Sequence, residues 1–145
     1  MKTNGGFLVT KIKQLGDRIF ERILAEKNID AFNGAQGRIL YVLWQEDGVP
    51  IKIISEKSGL AITSLTTMLE RMEKNGLISR KTDEADKRKT LLFLTDKAKE
   101  LKGAYDSVSN EMGNIYYRDF TDKEILQFEE YLNRIRVNLE EWSDK

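Results

Sequence analysis

The sequence predicts a mainly α-helical fold with one small β-hairpin. Apolar residues recur at intervals of three and four along most of the 145 residues, which is the period of an amphipathic helix. Only two neighbouring segments, 77–82 and 89–94, have the composition of strands, and a short charged segment separates them. A single proline and the lack of a low-complexity linker favour one domain over residues 1–145.

The first two helices are predicted from their apolar spacing and their end signals. A helix over 7–27 is indicated by residues at helical spacing, namely Leu8, Ile12, Leu15, Ile19 and Ile23. A second helix follows, with Asn33 as its N-cap and an end near Glu46. The segment DGVP at residues 47–50 then stops it, because glycine and proline interrupt helices.

Two further helices with a tight turn between them come next. Ile51 and Ile54 indicate a short amphipathic helix, and Gly59 closes the connection where a positive φ would strain other residues. The longer second helix has one apolar stripe, formed by Leu65, Met68, Leu69 and Met72. Helices joined by so short a turn cross steeply, which is the helix-turn-helix geometry in which the second helix offers its polar face to the DNA major groove.

A β-hairpin follows directly after this second helix. Asn75 and Gly76 supply a helix C-cap, and the two strands flank a charged turn at residues 83–88. A hairpin in this position is a wing. Near its tip Asp86 lies two residues before Arg88, close enough to hold the guanidinium by a bidentate, charge-assisted bond.

The last part of the chain predicts two long helices with apolar seams. One helix is predicted over 95–118, and Thr121 with Glu124 forms a capping box that opens another. The last helix repeats apolar residues at about 3.5-residue spacing, namely Ile125, Phe128, Leu132, Ile135, Leu139 and Trp142. A chain of this size cannot cover all these stripes with one core. We therefore expect the helices of 7–27 and 95–145 to interlock in a symmetric dimer.

The composition disfavours several classes of function. The chain has no cysteine and no histidine, so no cofactor or metal is expected, and no phosphate-binding glycine loop or buried carboxylate pair points to an enzyme. The net charge is zero, with plus two over 70–89 and minus four over 119–145, so any nucleic-acid footprint must be local. No apolar run reaches the ~18 residues of a membrane span, and the N-terminus lacks a signal-peptide core, which predicts a cytoplasmic protein.

The helix-turn-helix and wing segments are similar to the MarR family of winged helix-turn-helix transcriptional regulators. The resemblance is carried by the run GLAITSLTTMLERMEKNGLISR followed by DEADKRKTLLFLT. The wing carries the strongest match. The family pattern there is an Asp, any residue and an Arg, followed by alternating Leu residues and a Thr. The matching residues in this chain are Asp86, Arg88, Leu92, Leu94 and Thr95. The resemblance implies a winged helix-turn-helix DNA-binding lobe over 33–94, with N- and C-terminal dimerisation helices. It also implies that Arg88 enters a DNA minor groove and that Asp86 orients it.

The side chains expected to contact DNA are Thr63, Ser64, Thr66, Thr67, Arg71, Lys74, Asp86, Lys87, Arg88 and Lys89. Of these, Lys74 is a weaker candidate, for a phosphate contact only, as are Arg80 and Lys81 outside this set. Four hydroxyl residues in five positions are poor helix formers, which favours contacts to phosphates and base edges over a merely solvated face. Two positions depart from the family pattern. Ala61 and Ile62 replace the usual Ser-Pro, so Thr63 is expected to take over the N-cap, and Thr67 stands where members often have Arg.

The resemblance also implies a homodimeric repressor of a pseudo-palindromic operator, whose DNA affinity falls when a small aromatic or anionic effector binds. Phe20, Tyr41 and Trp44 are possible linings of an effector pocket, although packing in the core explains each of them better. The alternative is a winged-helix module that binds protein rather than DNA. The zero net charge and the acidic tail would favour that alternative.

Overall fold

The computed structural model describes all 145 residues. Helices and short strands follow each other in the order α1 (Gly5–Glu26), α2 (Gly34–Gln45), β1 (Val49–Pro50), α3 (Ile51–Ser58), α4 (Ile62–Lys74), β2 (Ile78–Thr82), β3 (Thr90–Leu94), α5 (Asp96–Glu100), α6 (Lys102–Tyr116) and α7 (Asp122–Ser143). The expected mainly α-helical fold with a β-hairpin is therefore confirmed. The chain divides into two compact units, Met1–Asn110 and Glu111–Lys145. None of its helices is both long enough and apolar enough to cross a membrane.

The core of the first unit lies among α2, α3, α4 and the sheet. Its largest fully buried side chains include Ile39, Leu40, Leu43, Ile54, Leu65, Leu69, Met72, Leu77 and Leu92. The α4 members of this set recur at helical spacing, so that α4 packs by one face and leaves its other faces exposed. Each such side chain contributes about 1.5–3 kcal/mol by burial, which fixes the helix-turn-helix to the sheet.

The sheet has three antiparallel strands in the order β1-β3-β2. The hairpin was predicted, and its register pairs Ile78 with Leu94 and Thr82 with Thr90. The third strand, β1, was not predicted, because it has only two residues and pairs Val49 with Leu92 far along the chain. Pro50 has no N–H to donate, and it lies in an edge strand, where proline is tolerated.

The single helix expected over 95–118 is wrong, because the chain forms α5 and α6 with a break at Leu101. The Ala98 carbonyl accepts a hydrogen bond from the Leu101 N–H at 3.1 Å, and it also accepts one from the indole N–H of Trp44 at 3.2 Å. A side chain that enters the helical hydrogen-bond ladder is a common cause of such a break. The predicted N-cap is correct, since the Thr95 hydroxyl accepts from the Ala98 N–H.

The second unit contains the end of α6 and all of α7. A capping box begins α7 as predicted, in which the Thr121 hydroxyl accepts from the Glu124 N–H and the Glu124 carboxylate accepts from the Thr121 N–H. The Tyr117 hydroxyl donates to the Glu129 carboxylate at 2.7 Å. Its ring contacts three other aromatic rings, those of Tyr116, Phe120 and Phe128. These contacts join the α6–α7 turn to the first half of α7.

Two helices leave much of their apolar surface uncovered within one chain. None of the 22 residues of α7 is buried, and Trp142 is 73% exposed. The other exposed apolar residues of its predicted seam are Leu132, Ile135 and Leu139. The first half of α1 is exposed in the same way, at Phe7, Leu8, Val9, Ile12 and Leu15. Exposed apolar side chains that form a patch are typical of an interaction site.

Candidate nucleic-acid interface

The turn between α3 and α4 is held by local hydrogen bonds that fix how the two helices cross. Gly59 adopts φ +74°, which favours glycine. The Ser55 hydroxyl donates to the Leu60 carbonyl at 2.6 Å, and the hydroxyl of the buried Ser58 accepts from the Leu60 N–H at 3.2 Å. The tight turn predicted at this glycine is confirmed.

The start of α4 differs from the sequence-based expectation. The helix begins at Ile62, its N-cap is Ala61, and no side chain accepts a hydrogen bond from the first turn. Thr63 therefore does not act as the N-cap, and that expectation is wrong. The extended backbone of Ala61, with φ −67° and ψ 143°, puts the N-cap two residues before Thr63, so that the Thr63 side chain lies within the first turn.

The polar residues predicted on α4 are exposed on the surface of the first unit. They are Thr63, Ser64, Thr66, Thr67, Arg71 and Lys74, while Leu65, Leu69 and Met72 are buried on the opposite side. The Thr66 hydroxyl donates to the Ile62 carbonyl at 3.0 Å, so its hydrogen is used within the helix. Arg71 and Lys74 form no ion pair within the chain, so both cations are available to an external anion.

The wing tip holds one arginine in a defined orientation. The Arg88 Nε and Nη2 groups donate to Asp86 Oδ1 and Oδ2 at 3.1 and 3.4 Å, and the Arg88 N–H also donates to Oδ1 at 3.1 Å. The side-chain bond to Arg88 is the main reason that the pKa of Asp86 is lowered, so this carboxylate stays charged. The Arg88 side chain remains 91% exposed, and the neighbouring Lys87 and Lys89 are exposed as well. The predicted bidentate pair is confirmed, and it projects a cation outwards.

The two basic residues of the wing stem already have partners within the chain. Arg80 Nε lies 3.3 Å from the Glu73 carboxylate at the end of α4, and Lys81 Nζ lies 5.3 Å from the ring centroid of Phe93. Sequence reasoning missed both contacts. The sequence does contain a signal for the Arg80–Glu73 contact. The two opposite charges lie on either side of the Asn75-Gly76 cap, and this cap turns the chain so that the strand returns beside the helix.

The aromatic residues considered for an effector pocket pack around one tyrosine. The Tyr105 ring lies 5.3–6.1 Å from the ring centroids of Phe20, Phe32, Tyr41 and Trp44. Burial is the main reason that the pKa of Tyr105 is raised. A Cβ at Gly37 would approach this ring to 3.1 Å, so the cluster is closely packed at that point. The rings therefore contribute to the core of the first unit, although Tyr41 is partly exposed.

Comparison with known proteins gives consistent results over the same elements. A family model described as the MarR family matches residues 32–90, from just before α2 to the start of β3. The chain is 38% identical over 77 residues to the HTH-type transcriptional regulator TtmR of Methylorubrum extorquens, covering 53% of this chain and 40% of that protein. It is 36% identical over 81 residues to the organic hydroperoxide resistance transcriptional regulator of Bacillus subtilis, covering 51% and 55%. The chain thus spans about half the length of these curated relatives.

Solved structures match nearly the whole chain at low sequence identity and show the fold. A MarR transcriptional regulator from Methanosarcina mazei has a TM-score of 0.81 at 19% identity and covers 95% of this chain and 91% of its own. A mutant of Escherichia coli MarR complexed with operator DNA has a TM-score of 0.80 at 21% identity, with coverages of 90% and 91%. Bordetella bronchiseptica BpsR, whose DNA binding is regulated by 6-hydroxynicotinic acid, has a TM-score of 0.82 at 17% identity, with coverages of 92% and 99%.

Proposed function

We propose that this chain, whose residues 32–90 match the MarR family model, is a sequence-specific DNA-binding transcriptional regulator of that family. One observation carries the proposal. The polar face of α4, with its unpaired Arg71, and the wing tip, with Arg88 held by Asp86, are both exposed on the first unit. A helix followed by a cationic wing is suited to two neighbouring grooves of one DNA duplex.

The two elements have different roles in this proposal. Thr63, Ser64, Thr66, Thr67 and Arg71 on α4 face the major groove, where base edges are distinguishable. Arg88 enters a minor groove, where it reads width and A·T content rather than a full sequence code. Asp86 orients Arg88, and Lys74, Lys87 and Lys89 contact phosphates, which add affinity without sequence information.

We propose that the regulator is a homodimer in which a second copy covers the exposed apolar faces of α1 and α7. The support is the burial pattern, because α7 has no buried residue within one chain and carries Trp142 at its end. A two-fold dimer presents two α4 helices, so its operator is pseudo-palindromic, with half-sites about one helical turn, roughly 10 bp, apart. Such a regulator works in the compartment that holds the chromosome, which we expect to be the cytoplasm.

We further propose that it acts as a repressor and that a small aromatic or anionic ligand lowers its operator affinity. The support is a solved structure of the same fold, BpsR, whose DNA binding is regulated by 6-hydroxynicotinic acid. No group of residues in this chain is assigned to the ligand, since Phe20, Tyr41 and Trp44 are accounted for by their packing on Tyr105.

A salt-titrated DNA-binding assay tests the central proposal. An operator is first selected from random duplexes, and its affinity is then measured at several salt concentrations beside that of random DNA. Arg88→Ala should weaken binding to both and lower the salt slope by about one unit for each subunit. Thr67→Ala should change the preference at one symmetric base position and leave the slope nearly unchanged. Equal, salt-dependent losses for both variants on both DNAs would refute the assignment of base reading to α4.

The same assay decides the alternative function. A winged-helix module that binds protein is favoured by the zero net charge of the chain and by the acidic balance of residues 119–145. Such a module would show no selected sequence and no steep salt dependence with DNA. Selection of one duplex sequence with salt-dependent affinity would exclude it as the main function.

A further inference from the structure

We infer that Ile62, together with the methyl group of Thr66, contacts the 5-methyl group of a thymine in the major groove. The inference rests on the proposed DNA-binding function and adds a specificity-determining residue that lies outside the polar set on α4. It also assigns the ligand chemistry, an apolar methyl group on a base edge rather than a phosphate or a hydrogen-bonding base atom.

The position of Ile62 is unusual for an apolar side chain. It is the first residue of α4 and is 47% exposed, whereas Leu65 and Leu69 on the same helix are fully buried. Isolated exposed apolar residues are common on protein surfaces. This one, however, lies at the N-terminal end of the helix proposed to enter the groove, and the first residues of a recognition helix are those that reach base edges.

Thr66 extends the same apolar surface. Residues four positions apart are neighbours on a helix, so Ile62 and Thr66 lie side by side. The Thr66 hydroxyl donates to the Ile62 carbonyl at 3.0 Å. Because the hydroxyl hydrogen is used in that bond, the Thr66 methyl group is the part of the side chain left for an apolar contact. The exposed Ala61, which caps the helix without a polar side chain, continues the apolar surface on the other side of Ile62.

The chemistry of base edges identifies the partner of this surface. Guanine, cytosine and adenine offer hydrogen-bond donors or acceptors in the major groove, and an isoleucine side chain can satisfy none of them. Thymine also carries a C5-methyl group, which is the apolar group that alanine and threonine methyls contact in protein–DNA complexes. A half-site with thymine opposite Ile62 buries two apolar groups, while any other base would leave a polar edge facing an apolar side chain.

The test removes the methyl group from the DNA and the apolar side chain from the protein. Each thymine of the selected operator is replaced in turn by deoxyuridine, which lacks only the 5-methyl group, symmetrically in both half-sites. Binding of the wild-type chain and of Ile62→Ala is measured on each duplex. At one symmetric position the wild type should lose roughly fourfold in affinity per half-site, the value expected for one buried methyl group. Ile62→Ala should lose clearly less than the wild type there, because only the Thr66 methyl group and a small alanine side chain remain beside the thymine methyl. Ile62→Val, which keeps a branched side chain, should stay as sensitive as the wild type.

The outcomes separate the inference from the function on which it rests. If deoxyuridine has no effect at any position, or weakens the wild type and Ile62→Ala equally at every position, the methyl contact of Ile62 is refuted while the DNA-binding function stands. If no duplex sequence can be selected, the DNA-binding function itself is refuted, and the inference falls with it. Circular dichroism of Ile62→Ala guards against misfolding, and the sensitivity of Ile62→Val provides a second measurement that does not depend on the alanine variant.

Discussion

Replacing Gly48 by alanine should lower the stability of the fold by more than the cost of placing alanine at a positive φ. Gly48 has φ +70°, and a Cβ built on it would lie 2.6 Å from Cε1 and 2.9 Å from Cζ of Phe93. Real Cβ atoms do not approach other atoms so closely, so the ring must shift. Phe93 also holds Lys81 against its face, so the same shift disturbs the stem of the wing.

The magnitude can be worked out with a matched control. Gly59 has φ +74°, and a Cβ added to it would meet no other atom within 4 Å. Gly59→Ala should therefore lower the free energy of unfolding only by the cost of holding alanine in the left-handed conformation, about 1–2 kcal/mol. Gly48→Ala should cost that amount and, in addition, about 1–3 kcal/mol for forcing a methyl group into packed space. The difference between the two variants isolates the contact with Phe93.

Urea unfolding followed by circular dichroism measures both variants at one fixed protein concentration, because association would change the apparent stability. A third variant, Gly48→Ala with Phe93→Leu, tests the cause, since removing the ring should restore part of the extra loss through a coupling energy between the two positions. If Gly48→Ala is no less stable than Gly59→Ala, Phe93 does not pack against Gly48 and the reasoning fails.

Three further outcomes are expected. First, burial, followed by the hydrogen bond to Glu129, raises the pKa of Tyr117 from 10.0 to about 12, so this interaction stabilises the fold fully below pH 10 and is lost as the pH rises through about 12. Because the pKa of Tyr105 is raised as well, the assignment is made by difference: in an ultraviolet titration the step near pH 12 should be lost in Tyr117→Phe and kept in Tyr105→Phe. A wild type without a step near pH 12 would contradict the assignment. Second, Ile135→Asp should place an unpaired charge in the proposed dimer interface and give monomer or unfolded chain in sedimentation. The control variant, Asn133→Asp, should stay dimeric. A monomeric wild type at micromolar concentration would rule the dimer out. Third, since the chain has no cysteine or histidine, moderate peroxide and chelators should leave DNA affinity unchanged apart from slow methionine oxidation, and a rapid, thiol-reversible loss would disprove this.

The features that were predicted correctly depend on residues close together in the sequence. The α4 stripe repeats within one helix, the capping box joins Thr121 to a residue three positions later, and the Asp86–Arg88 pair joins residues two positions apart. In each case local geometry alone brings the side chains together, so the spacing is enough to predict the contact.

The features that were missed depend on distant partners. The strand β1 exists only because Val49 meets Leu92, and the break at Leu101 accompanies a hydrogen bond from Trp44 to the Ala98 carbonyl. Neither partner is indicated by any local pattern. The expectation that Thr63 caps α4 failed for a different reason, because a helix can begin without a side-chain cap when its packed face fixes the start.

The uncovered face of α7 has a consequence for how the protein responds to its own abundance. If a second copy covers this face, most chains are monomeric when the chain concentration lies below the dissociation constant of the dimer. The dimer concentration then varies with the square of the chain concentration. Halving the number of chains in a cell then lowers the dimer about fourfold. Operator occupancy would therefore depend on expression more steeply than it would for a monomeric regulator, without any communication between DNA sites, and the origin of that steepness would be a helix with no buried residue.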